Sequence, residues 1–124
     1  MAKSVHDNVL DAALDYIASN CNIMVACSAQ PTTYAQLTAT YALADVALDS
    51  DDYTIANGDA SGRKVTLGAQ NTILIDATGT ATHVGLGISG TSTLAYVTTC
   101  TSKSLTAGNT VNFPAWDIEI ADPS

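Results

Sequence analysis

Acid–base or nucleophilic chemistry needs a nucleophile, a base and a group to orient it, or two carboxylates with separated proton affinities. Among its 124 residues the chain offers two histidines, His6 and His83. His6 falls in the first turn of a predicted helix, where the dipole disfavours a cation, so a surface role is expected. His83 alternates out of the Val84, Leu86, Ile88 face and is expected to be exposed or at an interface rather than a catalytic base. Cys21, Cys27, Cys100 and His83 have the ligand types of a zinc site but none of its recognised spacings. Three cysteines without a CxxC pair predict reduced, buried thiols, with a Cys21–Cys27 or Cys27–Cys100 bridge left open for an oxidising exterior. Asp49, Asp51 and Asp52 resemble part of a calcium loop but lack the twelve-residue series with its glycine and final glutamate, so they read as solvated turn acids. Gly58, Gly62 and Gly68 lack the GK[ST] of a phosphate loop. No catalytic residue, metal site or cofactor is therefore expected, and the chain reads as a non-enzyme.

The residues left over suit contact. Asp7, Asp11 and Asp15 stand four apart on one helix face, either a solvated ridge or a ridge that docks on a basic partner; both readings place all three in solvent. Arg63 is the single arginine of a chain with four bases and is expected to pair with an acid nearby or across a subunit boundary. Trp116, also single, is expected in core or lid packing or as an interface anchor. These five residues form the candidate partner interface.

The composition narrows the partners further. Hydrophobic residues make up 47% and charged residues only 13%, with 12 acids against 4 bases and a net charge of −8. A disordered chain would have few apolar and many charged residues, and no apolar run here approaches a membrane span. Affinity for nucleic acid comes mostly from Lys and Arg, so neither nucleic acid nor membrane is an expected partner. Met1-Ala2-Lys3 leads directly into a charged amphipathic segment without the apolar core of a secretory signal, so synthesis in the cytoplasm is expected. A single domain of this length can bury about two-thirds of its unfolded surface without staples.

The elements that must position these residues follow from periodicity. Val5, Val9, Leu10, Ala13, Leu14 and Ile17 form an apolar stripe that predicts a helix over residues 4–19, with Ser4 as N-cap. Ile23–Cys27 reads as a buried strand, Ser28-Ala29-Gln30-Pro31 as a breaker, and Thr33 with Gln36 as a capping-box spelling for a helical turn near 33–38. The Ala-rich stretch 40–48 fits either a strand or an irregular segment. Beyond residue 50, strands are predicted at 53–56, 64–67, 72–76, 82–88, 93–101 and 111–120, joined by turn clusters at 49–52, 57–62, 89–92 and 103–110. Thr78, Thr80, Thr82, Thr98, Thr99 and Thr101 can cover outward sheet faces without charge, leaving edges with few guards and an expected need for partners or self-association. The expected fold is mainly β, an antiparallel β-sandwich or barrel with one N-terminal α-helix. Its division is a helix over 1–22, packed on or projecting from the body, and a single β domain over 23–124.

Three segments also carry a resemblance. Asn57-Gly58-Asp59-Ala60-Ser61-Gly62-Arg63-Lys64-Val65-Thr66, the stretch Phe113-Pro114-Ala115-Trp116-Asp117-Ile118-Glu119-Ile120-Ala121-Asp122, and the helix beginning Ser4-Val5-His6-Asp7 resemble a family of small virion proteins of tailed bacteriophages. The resemblance implies a head decoration or capsid-stabilising protein, made in the host bacterial cytoplasm and placed on the head surface of the virion. The implied partners are the major capsid protein and further copies of the chain, a trimer being favoured. It supplies no individual functional residue. A tail, fibre or host-surface-binding module is the alternative, with loops 89–92 and 103–110 contacting a receptor, and a small metal-binding protein or enzyme using Cys27, Cys100 and His83 is the second.

Overall fold

A computed structural model describes residues 5–122. Ser4, the expected helix cap, and the Met1-Ala2-Lys3 start lie outside the described residues. The protein is mainly β, with antiparallel sheets and one N-terminal helix. Among the described residues the sheets have four, three and two strands, and none closes on itself. Contacts divide the chain into two compact units. One is Met1–Asn20, Asp49–Ala69 and Pro114–Ser124; the other is Cys21–Leu48 and Gln70–Phe113. Where periodicity drew one boundary at residue 22, the contacts group the helix with two later segments.

In the first unit, helix α1 (Asp7–Asn20) covers a sheet of β3 (Tyr53–Asn57), β4 (Arg63–Leu67) and β9 (Trp116–Ile120), in the order β3-β4-β9. The helix starts three residues later than expected. The Asn8 amide donates to His6 Nδ1 at 3.1 Å and the Val9 amide to the His6 carbonyl at 2.9 Å, so His6 satisfies two of the donors that open a helix. Asn20 Nδ2 donates to the Tyr16 carbonyl at 2.8 Å and closes the other end. The buried arc is Leu10 and Leu14, with Ile17 half-buried, whereas Val9 is 63% exposed and Ala13 is exposed as well. The expected stripe is thus corrected. Leu10-Leu14-Ile17 and Val9-Ala13-Tyr16 both recur at helical spacing, and periodicity cannot say which of two apolar arcs faces the body.

Within the three-stranded sheet, Leu67 is paired with both Tyr53 and Trp116, and Val65 with both Ile55 and Ile118. Val65 and Leu67 are buried, while Asp117 and Glu119 alternate outward on β9. The turn before β3 is capped by its own acids: Asp49 Oδ1 accepts from the Asp51 amide and Asp52 Oδ2 from the Asp49 amide, each at 2.9 Å.

The second unit is built on β1 (Ile23–Cys27), β2 (Ala42–Ala47), β6 (Gly79–Ile88) and β7 (Thr93–Leu105), in the order β2-β1-β6-β7. β1 has the predicted bounds, and the Ala-rich stretch forms β2. The ribbon of β5 (Gln70–Leu74) and β8 (Thr110–Phe113) meets β2 through the Ala44–Ile75 bridge. Met24, Val25, Ala26 and Cys27 are all buried, so β1 is covered on both faces.

One face is covered by the segment after the breaker. The Gln36 amide donates to Thr33 Oγ1 at 3.1 Å, and Gln36 Oε1 accepts from the Thr32 amide and hydroxyl at 2.8 and 2.9 Å. The predicted cap is therefore made, with its return arm on Thr32. The turn then widens to a π-helix over Gln36–Thr40, with Tyr41 N–H donating to the Gln36 carbonyl at 2.9 Å. Leu37 is fully buried against Val25 and Cys27. A Cβ at Gly85 would clash with Leu37 Cδ1, and one at Gly87 would lie 2.9 Å from Leu37 Cδ2 and 3.1 Å from the Tyr34 ring. The Gly85 and Gly87 side of β6 is thus interior, a trough that receives Leu37.

Two further expectations change. A single final strand over 111–120 is instead β8 and β9, which belong to different units. Pro114 lies in the break and has no amide hydrogen to offer a ladder. β7 runs on to Leu105 rather than ending at Thr101. As an edge strand it is better guarded than composition implied: its pairing with β6 shifts between Ala81 and His83 and between Leu86 and Gly87, and Lys103 lies beyond the first shift. Such bulges and lysines blunt an edge against pairing with other chains.

Candidate functional site

The densest polar arrangement is in the first unit, on the two faces of β4. On the helix side, Arg63 Nε donates to Asp11 Oδ1 at 2.8 Å and Nη2 to Asp11 Oδ2 at 3.4 Å, a two-point pairing of guanidinium and carboxylate. Nη1 of the same side chain donates to Asn57 Oδ1 at 2.7 Å. The hydrogen bond that Arg63 donates to Asp11, reinforced by the charges of Asp11 and Asp7, pushes the Arg63 pKa up. The pairing expected of Arg63 is therefore made within the chain, across 52 positions of sequence.

On the opposite side of the strand, Lys64 Nζ lies 2.6 Å from Asp59 Oδ1 and 3.4 Å from Asp117 Oδ2. The Asp59 amide donates to Glu119 Oε1 at 2.7 Å. The hydrogen bond to Asp59 is the main influence raising the Lys64 pKa, so this amine stays a charged anchor rather than a nucleophile. Together these bonds tie the 57–62 loop to β4 and β9. Lys64, Asp59, Asp117 and Glu119 were not singled out from sequence. The available signal was the alternation Asp117-x-Glu119 in a strand, which points both acids to one face.

The structure separates the five expected interface residues. Asp7 and Asp15 are exposed, as a ridge requires, but Asp11 is turned toward Arg63, with its side chain only 22% exposed. The expectation of three solvated acids is corrected: the single arginine neutralises the middle one. Trp116 is half-buried in β9, paired with Leu67. Of the five, Asp11 and Arg63 are brought together and joined by hydrogen bonds.

The cysteines all lie in the second unit and are unbridged. Cys21 precedes β1 by two residues and Cys27 ends it, a separation of roughly 20 Å along an extended chain, which excludes a bridge. Cys27 and Cys100 lie on β1 and β7, with β6 between them, so about 9–10 Å of sheet separates their backbones and a bridge is excluded there too. Burial pushes the thiols of Cys21 and Cys27 up to about 11, the nearby Cys100 adding to the effect on Cys27. His83 is half-buried, with Nδ1 2.9 Å from Thr82 Oγ1. Thr82 Oγ1 in turn lies 3.2 Å from the Ser28 carbonyl. The Thr82 hydroxyl thus lies within hydrogen-bond distance of both the Ser28 carbonyl and the imidazole. Among the described residues no group of three or more His, Cys, Asp or Glu is placed to hold a metal ion, and no helix is long and apolar enough to cross a membrane.

The charge divides with the fold. Of the twelve acids only Asp45 and Asp76 fall in the second unit, and of the four bases only Lys103, so that unit carries −1 and the first carries the remaining −7 of the total −8. No family model, no curated protein and no solved structure matches the chain.

Proposed function

We propose that the chain is a non-enzymatic structural protein of a bacteriophage virion, a capsid decoration protein that binds and stabilises the head shell. Its partners in this reading are the major capsid protein and further copies of itself, a trimer being favoured. The observation that carries the reading is the segregation of charge: one compact unit holds nearly all of the −8, and the other offers a nearly neutral, threonine-bearing sheet. A protein that must sit on a lattice needs one surface complementary to it and a second that tolerates neighbours and solvent. The exposed Asp7 and Asp15, on the helix of the acidic unit, suit the first role. The resemblance of the 57–66 and 113–122 segments to small virion proteins points the same way.

Cryo-electron microscopy of the virion tests it. Density for this chain at three-fold or quasi-three-fold positions of the head is the expected result. Density confined to the tail replaces this reading with a tail or fibre module, for which the exposed 89–92 and 106–109 loops are the available contacts.

A further inference from the structure

Asn57-Gly58 is the single Asn-Gly step of the chain. Asn57 closes β3 and is exposed; Gly58 opens the loop that returns to Gly62. A Cβ at Gly58 would run into the Ser61 carbonyl oxygen and the Glu119 carboxylate, so the loop admits only glycine there. Glycine is also the neighbour that least hinders attack of its own backbone nitrogen on the preceding asparagine side chain. The close packing of this loop therefore imposes a chemically labile dipeptide at its start.

The same surroundings oppose the reaction. Asn57 is held extended by its pairing with Arg63, and its Oδ1 accepts from Arg63 Nη1 at 2.7 Å. Arg63 is itself fastened by Asp11 at 2.8 and 3.4 Å. The Gly58 N–H donates to the Gly62 carbonyl at 2.9 Å. Attack requires ψ of Asn57 to leave its extended value, near +135° in an antiparallel sheet, and the side chain to swing over the Gly58 nitrogen. Both movements break the hydrogen bond to Arg63.

We propose that Asn57-Gly58 is a deamidation site kept closed by the Asp11–Arg63–Asn57 chain of hydrogen bonds. In the reaction the Gly58 nitrogen loses its proton and bonds to Asn57 Cγ, the Cγ–Nδ2 bond breaks and ammonia leaves. Water then opens either carbon–nitrogen bond of the cyclic imide, giving aspartate or its β-linked isomer at position 57. Arg63 donating to Oδ1 also polarises Cγ, but in the native geometry the nucleophile is out of reach, so restraint outweighs activation. Either product sets a second carboxylate beside Arg63 in competition with Asp11, and the β-linked one adds a methylene to the backbone where β3 meets β4. The inference is independent of the virion reading.

The test follows the one-dalton mass gain and the β-linked product at position 57 in mildly alkaline buffer. The full-length native protein is compared with Asp11→Asn, with Arg63→Gln, and with the same chain in denaturant. Native protein is expected to react at least roughly tenfold more slowly than the denatured chain, since the site must open locally first. Both variants are expected to recover part of that factor while hydrogen exchange at β4 amides rises by much less. A native rate equal to the denatured one overturns the proposal, as do variants no faster than wild type. An acceleration matched by an equal rise in β4 exchange also overturns it, because global unfolding then accounts for the effect. Should Arg63→Gln fail to fold, Asp11→Asn carries the test, since it removes the charge that fastens Arg63 and so loosens the hold of Arg63 on Asn57.

Discussion

In the unit built from α1, β3, β4 and β9, charge works alongside apolar contact: Arg63 ties the sheet to the helix, and Lys64 ties the 57–62 loop to β9. In the unit built from β1, β2 and β5 to β8 no ion pair is found among the described residues, and the central strands are held by fit, with Leu37 seated in a trough that two glycines leave open. The first unit concentrates charge enough to need internal pairing, yet keeps an excess for the exterior. The second dispenses with charge and depends on volume. The difference is physical as well as compositional: an exposed or half-exposed ion pair is tolerant of small movements and sensitive to salt, whereas a close-packed trough is insensitive to salt and intolerant of a methyl group.

The steric half of this contrast gives the largest expected effect. Leu37→Ala should cost about 2–5 kcal/mol in urea denaturation, the usual range for emptying a fully buried leucine site. Gly85→Ala should cost about 1–3 kcal/mol in the native background by overpacking, and much less when Leu37 is already alanine. Equal costs for Gly85→Ala in both backgrounds would break the claim that the trough exists to receive Leu37.

Next in size is the alkaline limb. The Cys21 and Cys27 thiols ordinarily ionise near 9 and in the folded second unit only near 11. A folded value above the unfolded one means the contribution is intact below pH 9 and is lost as pH rises from 9 to 11. The expected loss over that interval is about 1–2 kcal/mol per thiol once solvent screening is allowed for. Melting temperatures across this interval should fall for wild type and fall less for Cys21→Ala and Cys27→Ala. Parallel curves for all three proteins would remove the thiols from the account.

The smallest effects come from one chemical change made in each unit, and its sign should reverse. Asp11→Asn removes a partner from Arg63, so it should lower stability, by an amount that shrinks as salt is added. Asp45, in β2, has its carboxyl pushed up by desolvation and then by the like charge of Asp76. Its ionised form is the destabilising one, so Asp45→Asn should raise stability by a few tenths of a kcal/mol at neutral pH. That gain should vanish as pH falls through the carboxylate range, where wild-type Asp45 is protonated too. Denaturation midpoints at two salt concentrations and two pH values measure both; a common sign would mean the units do not handle charge differently.

Much of this was legible along the chain. The bounds of β1 and the place of the helical turn after Pro31 follow from local apolar runs and caps. That Arg63 pairs with an acid follows from its rarity among so many carboxylates. Which acid it meets does not, because Asp11 is 52 positions away and Asp7 and Asp15 share its spacing. The Lys64, Asp59, Asp117 and Glu119 group was illegible for the same reason: it exists only after β4 and β9 are placed in register.

The amino-acid order alone determines the class: a mainly β chain with one helix, acids gathered on that helix, in the 49–59 turns and near the C-terminus, threonine where other proteins carry lysine and glutamate. These are properties of composition and of periods of two and 3.6 residues, which are local. Only the tertiary structure decided which of two apolar helix arcs is buried, that the glycine side of β6 is interior, and that residues 111–120 split between two units. Each of these turns on what packs against an element from a distant part of the chain, and alternation along a strand or helix says that a face differs without saying what covers it.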